Sequence, residues 1–164
     1  MFAIGDKVVY PLHGAGIIEG VEEKKIDGTL HIYYVLRIPV GNLKVMVSVK
    51  NASNMGIRKI MSSEELQNAI ASVTSRPVIM NGNWNLRYKE NMEKIRTGFI
   101  CECAEVFRNL RLRERQRGLS SAEKKMLTTV KQIIISEMIL SNDIEKLQAE
   151  DILEKTFDEA ATTA

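Results

Sequence analysis

The chain holds a single tryptophan, Trp84, with Arg87 and Lys89 close behind it in the stretch Asn81-Gly82-Asn83-Trp84-Asn85-Leu86-Arg87-Tyr88-Lys89-Glu90. An indole is a large apolar ring with one N–H donor. Set where a polar turn becomes a helix, it can be held rigidly and still face outward, and a ring so placed can wedge against nucleic-acid bases while neighbouring cations hold phosphates. Position alone favours the other reading, a tryptophan buried under a helical bundle, the usual place for a large aromatic.

Other groups with chemical potential resolve into structural roles. Gly14-Ala15-Gly16-Ile17-Ile18-Glu19-Gly20 is glycine-rich, but its spacing is not that of a dinucleotide loop and a strand follows it instead of a helix. Cys101 and Cys103 point in different directions on a helix, so packing is expected over metal binding. His13 and His31 have no nucleophile at an informative spacing, and the Glu64-Glu65 pair is explained by helix capping. No catalytic constellation, metal site, cofactor or small-molecule substrate is therefore expected. On the strands, Lys24 and Lys25 flank a hairpin, and Lys44 and Met46 share the face opposite Leu43 and Val45. Such residues form either a solvated sheet face or an edge that docks a protein partner.

These groups must be positioned by a chain of 164 residues, 45% hydrophobic and 27% charged, ordinary values for a globular protein. Two cysteines give no disulfide framework, which fits a reducing, intracellular compartment. No apolar run approaches a membrane span, and the N-terminus lacks the regions of a signal peptide, so no membrane association is expected. The net charge of +2 hides an uneven distribution: residues 84–131 carry 12 Lys/Arg against 6 Asp/Glu, whereas residues 132–164 carry 2 against 8. A basic middle is a candidate nucleic-acid footprint, or a solvated face.

The first 60 residues read as short strands. Lys7–Tyr10, Ala15–Ile26 with a bulge at Gly20, Thr29–Ile38 after the Asp27-Gly28 turn, Leu43–Val49, and a last segment in Met55–Lys59 that closes a small sheet predict a compact antiparallel β-barrel of SH3 or Tudor type. Residues 61–164 then read as an all-α bundle. A capping box at Ser62/Glu65 starts a helix to about Val73, and others span about Trp84–Arg96, Ile100–Arg117, a central helix after a second capping box at Ser120/Glu123, and Ile144–Ala160. Leu147, Ile152, Leu153 and Phe157 are the expected inward residues of the last helix, and residues 160–164 are expected to fray. The fold class is α+β, with domains at 1–60 and 61–164.

Three blocks resemble the CarD/CdnL bacterial transcription regulators. Gly5-Asp6-Lys7-Val8-Val9-Tyr10-Pro11-Leu12-His13-Gly14-Ala15-Gly16 is similar to the family's opening, a module shared with the transcription-repair coupling factor. Asn83-Trp84-Asn85-Leu86-Arg87-Tyr88-Lys89 is similar to its tryptophan motif, and Arg117-Gly118-Leu119-Ser120-Ser121-Ala122-Glu123-Lys124-Lys125-Met126-Leu127 to its third signature. The resemblance implies a Tudor-like N-terminal domain on the RNA polymerase β subunit and a helical C-terminal domain on promoter DNA at the upstream edge of the bubble, stabilising the open complex in the bacterial cytoplasm. Trp84 would be the minor-groove wedge, Arg87 and Lys89 phosphate contacts, and Lys124 and Lys125 a second basic contact. Polymerase docking would use Lys24, Lys44 and Met46, the last standing where many members carry arginine. The alternative is an adaptor with a Tudor-like module and a helical scaffold that contacts no DNA.

Overall fold

The computed structural model describes the backbone of residues 1–163 and the side chains of residues 1–158; of the stretch expected to fray, residues 160–163 are helical instead, and residue 164 lies outside the described residues. Five strands come first: β1 (Lys7–Tyr10), β2 (Gly14–Ile26), β3 (Thr29–Ile38), β4 (Leu43–Ser48) and β5 (Arg58–Lys59). They form one antiparallel sheet in the order β4-β3-β2-β1-β5. The short β5 pairs with β1 through Val8–Lys59 and Val9–Arg58, leaving β4 and β5 as the two edges. The sheet is therefore open where a closed barrel was expected: a two-residue β5 has too few ladder bonds to serve both β1 and β4.

The β2–β3 ladder begins at an Asp27-Gly28 turn with φ of 51° and 80°, the left-handed pair that a two-residue hairpin needs. Its register shifts between Ile18 and Gly20, at the bulge read from the sequence. Alternation puts Tyr34, Leu36, Ile38 and Val47 into a core with Val8, Ile18 and Ala52. Beyond Gly20 the hairpin leaves that core, so Leu30 and Ile32 share the inward parity and yet stand in solvent.

Five helices follow: α1 (Ser63–Thr74), α2 (Trp84–Arg96), α3 (Ile100–Gln116), α4 (Ser121–Asn142) and α5 (Lys146–Thr163). The Ser62/Glu65 capping box is formed at both of its bonds. The second core joins Leu66, Ile70 and Val73 of α1, Ile95 of α2, Phe107 and Leu110 of α3, Val130 and Ile134 of α4, and Leu153 and Phe157 of α5. Helix α4 is central, packing on α1, α3, α5 and β2. Leu147 and Ile152, expected inward, are 75% and 45% exposed, because α5 buries Ala149, Leu153 and Phe157 and turns the adjacent positions out.

Polar contacts join the sheet to α4. The Ala15 amide donates to Ser136 Oγ at 2.7 Å. Gly14, at φ +111°, brings its Cα so near that a Cβ would stand 2.7 Å from that hydroxyl. Arg58 of β5 reaches Glu137 of α4 at 2.6 Å and also donates to the Gly98 carbonyl from Nε and Nη2. Elsewhere Arg108 of α3 donates to the carbonyls of Val73 and Arg76, supplying the last turn of α1 with the cation it lacks.

Candidate nucleic-acid interface

Helix α2 starts at the indole. The Asn83 side chain accepts the Leu86 amide at 3.2 Å and caps the helix, which makes Trp84 its first residue. Tyr88 lies one turn on, and the two rings stack at 5.5 Å and 21°. The indole Nε1–H donates to Ser120 Oγ at 3.0 Å, across 36 residues of sequence. The ring is thus fixed from two directions and its single donor is used. It remains 42% exposed, with Leu86 50% exposed beside it, so the buried reading of Trp84 does not hold.

Arg87 departs from expectation. It is 3% exposed, and its guanidinium forks onto the Glu123 carboxylate, Nε to Oε2 at 2.9 Å and Nη2 to Oε1 at 3.1 Å. The third nitrogen, Nη1, donates to the Asn81 carbonyl at 3.0 Å. With its side chain buried and its nitrogens engaged by Glu123 and the turn carbonyls, Arg87 orders the turn before α2 and pins α2 to α4; it is not placed to meet a phosphate. Burial alone would raise the Glu123 carboxyl, but the Arg87 hydrogen bonds and charge, with the Ser120 hydroxyl and the Arg113 charge, hold it below the usual carboxylate range. Glu123 also forms only half of the second capping box. Ser120 Oγ accepts the Glu123 amide at 3.2 Å, while the carboxylate is drawn to Arg87 and does not return to the Ser120 amide.

Lys89 follows Tyr88 on α2, and Lys124 and Lys125 sit in the first turn of α4 just beyond Ser120. All three are exposed, and among the described residues none enters an ion pair. The structure therefore brings Trp84, Tyr88 and Ser120 at the α4 start together, with exposed cations on each of the two helices that carry or hold the ring. Ser120 and Glu123 carry the positioning that sequence reasoning assigned to capping alone; the Ser-x-x-Glu spacing marked both residues but not their partners.

On the sheet, the register puts Lys24 opposite His31, Met46 opposite Val35 and Lys44 opposite Arg37, so all three share one face. Lys24 is exposed on the free hairpin, and Met46 is half-buried. Lys44 lies 3.6 Å from Glu19, which Arg37 also approaches at 3.4 Å. Cys103 is fully buried, and burial pushes its thiol up to about 12, the setting of a packing residue. Among the described residues no group of three or more His, Cys, Asp or Glu is placed to hold a metal, and no helix is long and apolar enough to cross a membrane.

Residues 2–61 match the family described as CarD-like/TRCF RID domain, and residues 68–154 match the family described as CarD, C-terminal domain. The chain is 37% identical over 148 residues to a Bacillus subtilis (strain 168) protein named "Putative transcription factor YdeB", an alignment covering 90% of this chain and 97% of that protein.

Proposed function

The chain belongs to the CarD family of transcription factors, and from that premise we propose that it bridges RNA polymerase and promoter DNA and stabilises the open complex. In this reading residues 1–60 dock on the polymerase β subunit, and residues 61–164 hold DNA at the upstream edge of the bubble, in the bacterial cytoplasm. The observation that carries it is the Trp84 ring, half in solvent yet fixed by Ser120 and Tyr88. A ring with its N–H already satisfied has no hydrogen bond to offer a base. It would act by shape and stacking, lodging in a step that polymerase has already opened, because unstacking costs a few kcal/mol per step.

Lys89, Lys124 and Lys125 supply phosphate contacts, which position without reading sequence. A ligand that prefers the opened state shifts the equilibrium by its differential affinity, and docking of the sheet raises the local concentration of the helical part at the promoter. The face carrying Lys24, Lys44 and Met46 is the proposed docking side.

The test is open-complex lifetime with purified polymerase and the Trp84→Ala variant. Lifetime should shorten while the melting transition stays cooperative, since the ring is outside the core. An unchanged lifetime in a folded variant removes the wedge. Failure of the full chain to bind forked DNA at low salt would leave the adaptor.

A further inference from the structure

Helices α3, α4 and α5 enclose a groove of about 530 Å³ whose lining carries more cations than carboxylates: Arg111 and Arg115 from α3, Lys124 and Lys131 from α4, Lys146 from α5. On α4, Lys124, Thr128 and Lys131 lie on one stripe, which begins one turn beyond Ser120, the residue that holds the Trp84 ring. Lys124 to Lys131 spans roughly 10 Å, the rise of about three base pairs. The stripe thus continues the cationic end of the bundle away from the indole.

Two carboxylates of α5 occupy this track. Glu154 takes Arg111 at 2.7 Å and Lys131 at 3.3 Å, and Asp158 takes Arg111 at 2.5 Å and Arg115 at 2.8 Å. Glu114 and Glu150 line the same groove. The carboxylates of Glu154 and Asp158 are 35% and 49% exposed, so water and salt reach these pairs and a phosphate can compete for the cations. Lys124 and Lys146 have no ion-pair partner among the described residues. The acidity of residues 132–164 is thereby given a location: part of it lies against the basic segment.

We infer that the α3–α4 groove is a second binding track for the DNA phosphate backbone, and that Glu154 and Asp158 of α5 restrain it by standing where phosphates would. The inference rests on the DNA-binding reading above. In it, α5 sets how tightly the chain holds DNA, keeping affinity low enough that binding depends on polymerase.

The test is fluorescence anisotropy of a labelled forked duplex with full-length Glu154→Gln/Asp158→Asn, read from low to moderate salt. A control, Glu145→Gln/Asp151→Asn, removes the same charge from exposed sites outside the groove. The groove variant should bind at least threefold tighter than the control. Its slope of log affinity against log salt should steepen by about two, as expected when two to three more phosphates are neutralised. Equal behaviour of groove and control variants overturns the inference, since only net charge would matter, and so does an affinity unchanged from the parent. Should the groove variant melt early, Lys131→Gln/Arg115→Gln reads the same track from the cationic side and should flatten the slope; an unaltered slope there also refutes the track. Absence of DNA binding by the parent chain at low salt would instead refute the underlying reading.

Discussion

The Arg87 guanidinium and the Glu123 carboxylate face each other through two hydrogen bonds, at 2.9 and 3.1 Å, with residue exposures of 3% and 2%. A buried pair of this kind gains little over a well-packed apolar one, but removing one partner strands the other charge, at a cost of about 3–5 kcal/mol. Arg87→Ala is expected to lose that much in urea unfolding and to disorder the Asn81-Gly82 turn. Its loss of DNA binding should therefore accompany a loss of fold, in contrast to Lys89→Ala, which should weaken DNA binding at unchanged stability.

The pH dependence of stability should carry two opposed contributions. Glu123 is held below its unfolded value of about 4.3, so its stabilisation is present above that pH and is lost as pH falls through the depressed folded value. Burial raises the Glu137 carboxyl despite the Arg58 charge and hydrogen bond. The folded state then binds the proton more tightly than the unfolded chain, and stability declines as pH rises from the unfolded value through the raised folded one. Chemical denaturation across pH 3–8 should show Glu123→Gln flattening the acid limb and Glu137→Gln flattening the decline above it. At neutral pH Glu137→Gln should lie within about 1 kcal/mol of the parent, whereas Arg58→Met should cost about 3 kcal/mol.

Ser120→Ala removes three bonds at once, the α4 cap, the acceptor for the indole and the hydroxyl's donation to the Glu123 carboxylate. The cap accounts for about 1 kcal/mol of stability. The indole N–H should then exchange faster with solvent, and open-complex lifetime should shorten beyond what that stability change explains. Ser120→Thr keeps the hydroxyl and should restore both. Unchanged indole exchange in the alanine variant would show that Tyr88 stacking alone holds the ring.

Gly14→Ala forces a left-handed φ on a side chain and drives its Cβ against Ser136 Oγ. It should cost about 2 kcal/mol or more. Combined with Ser136→Ala, which deletes the opposing oxygen and also orphans the Ala15 amide, the effects should fall short of additivity by about 1 kcal/mol. Strict additivity in the melting data would mean that the strain resides in φ alone.

Local signals were legible. The Asp27-Gly28 turn, the Gly20 bulge, the Ser62/Glu65 box and the bounds of α2 each depend on residues within a few positions of one another, and each appears where the sequence puts it. What escaped depends on partners far along the chain. Arg87 reads as a surface cation until Glu123, 36 residues on, is placed beside it. Arg108, from the arginine-rich run, turns inward to the end of α1, 35 residues back. Leu147 and Ile152 are apolar residues on α5 but stand off the face that buries Ala149, Leu153 and Phe157, a choice that packing on α4 decides. The open sheet edge likewise follows from β5 choosing β1, a non-local pairing that strand propensity does not encode.

Arg58 has a mechanical consequence. The carbonyl it holds, Gly98, sits just past the end of α2, and the indole sits at the opposite end, some 20 Å away along a rod of 13 residues. The sheet thereby holds one end of the rod, while Ser120 and Glu123 hold the other. Adding or deleting one helical turn in α2 would carry the tip about 5 Å along its axis and take the ring out of reach of the Ser120 hydroxyl that holds it.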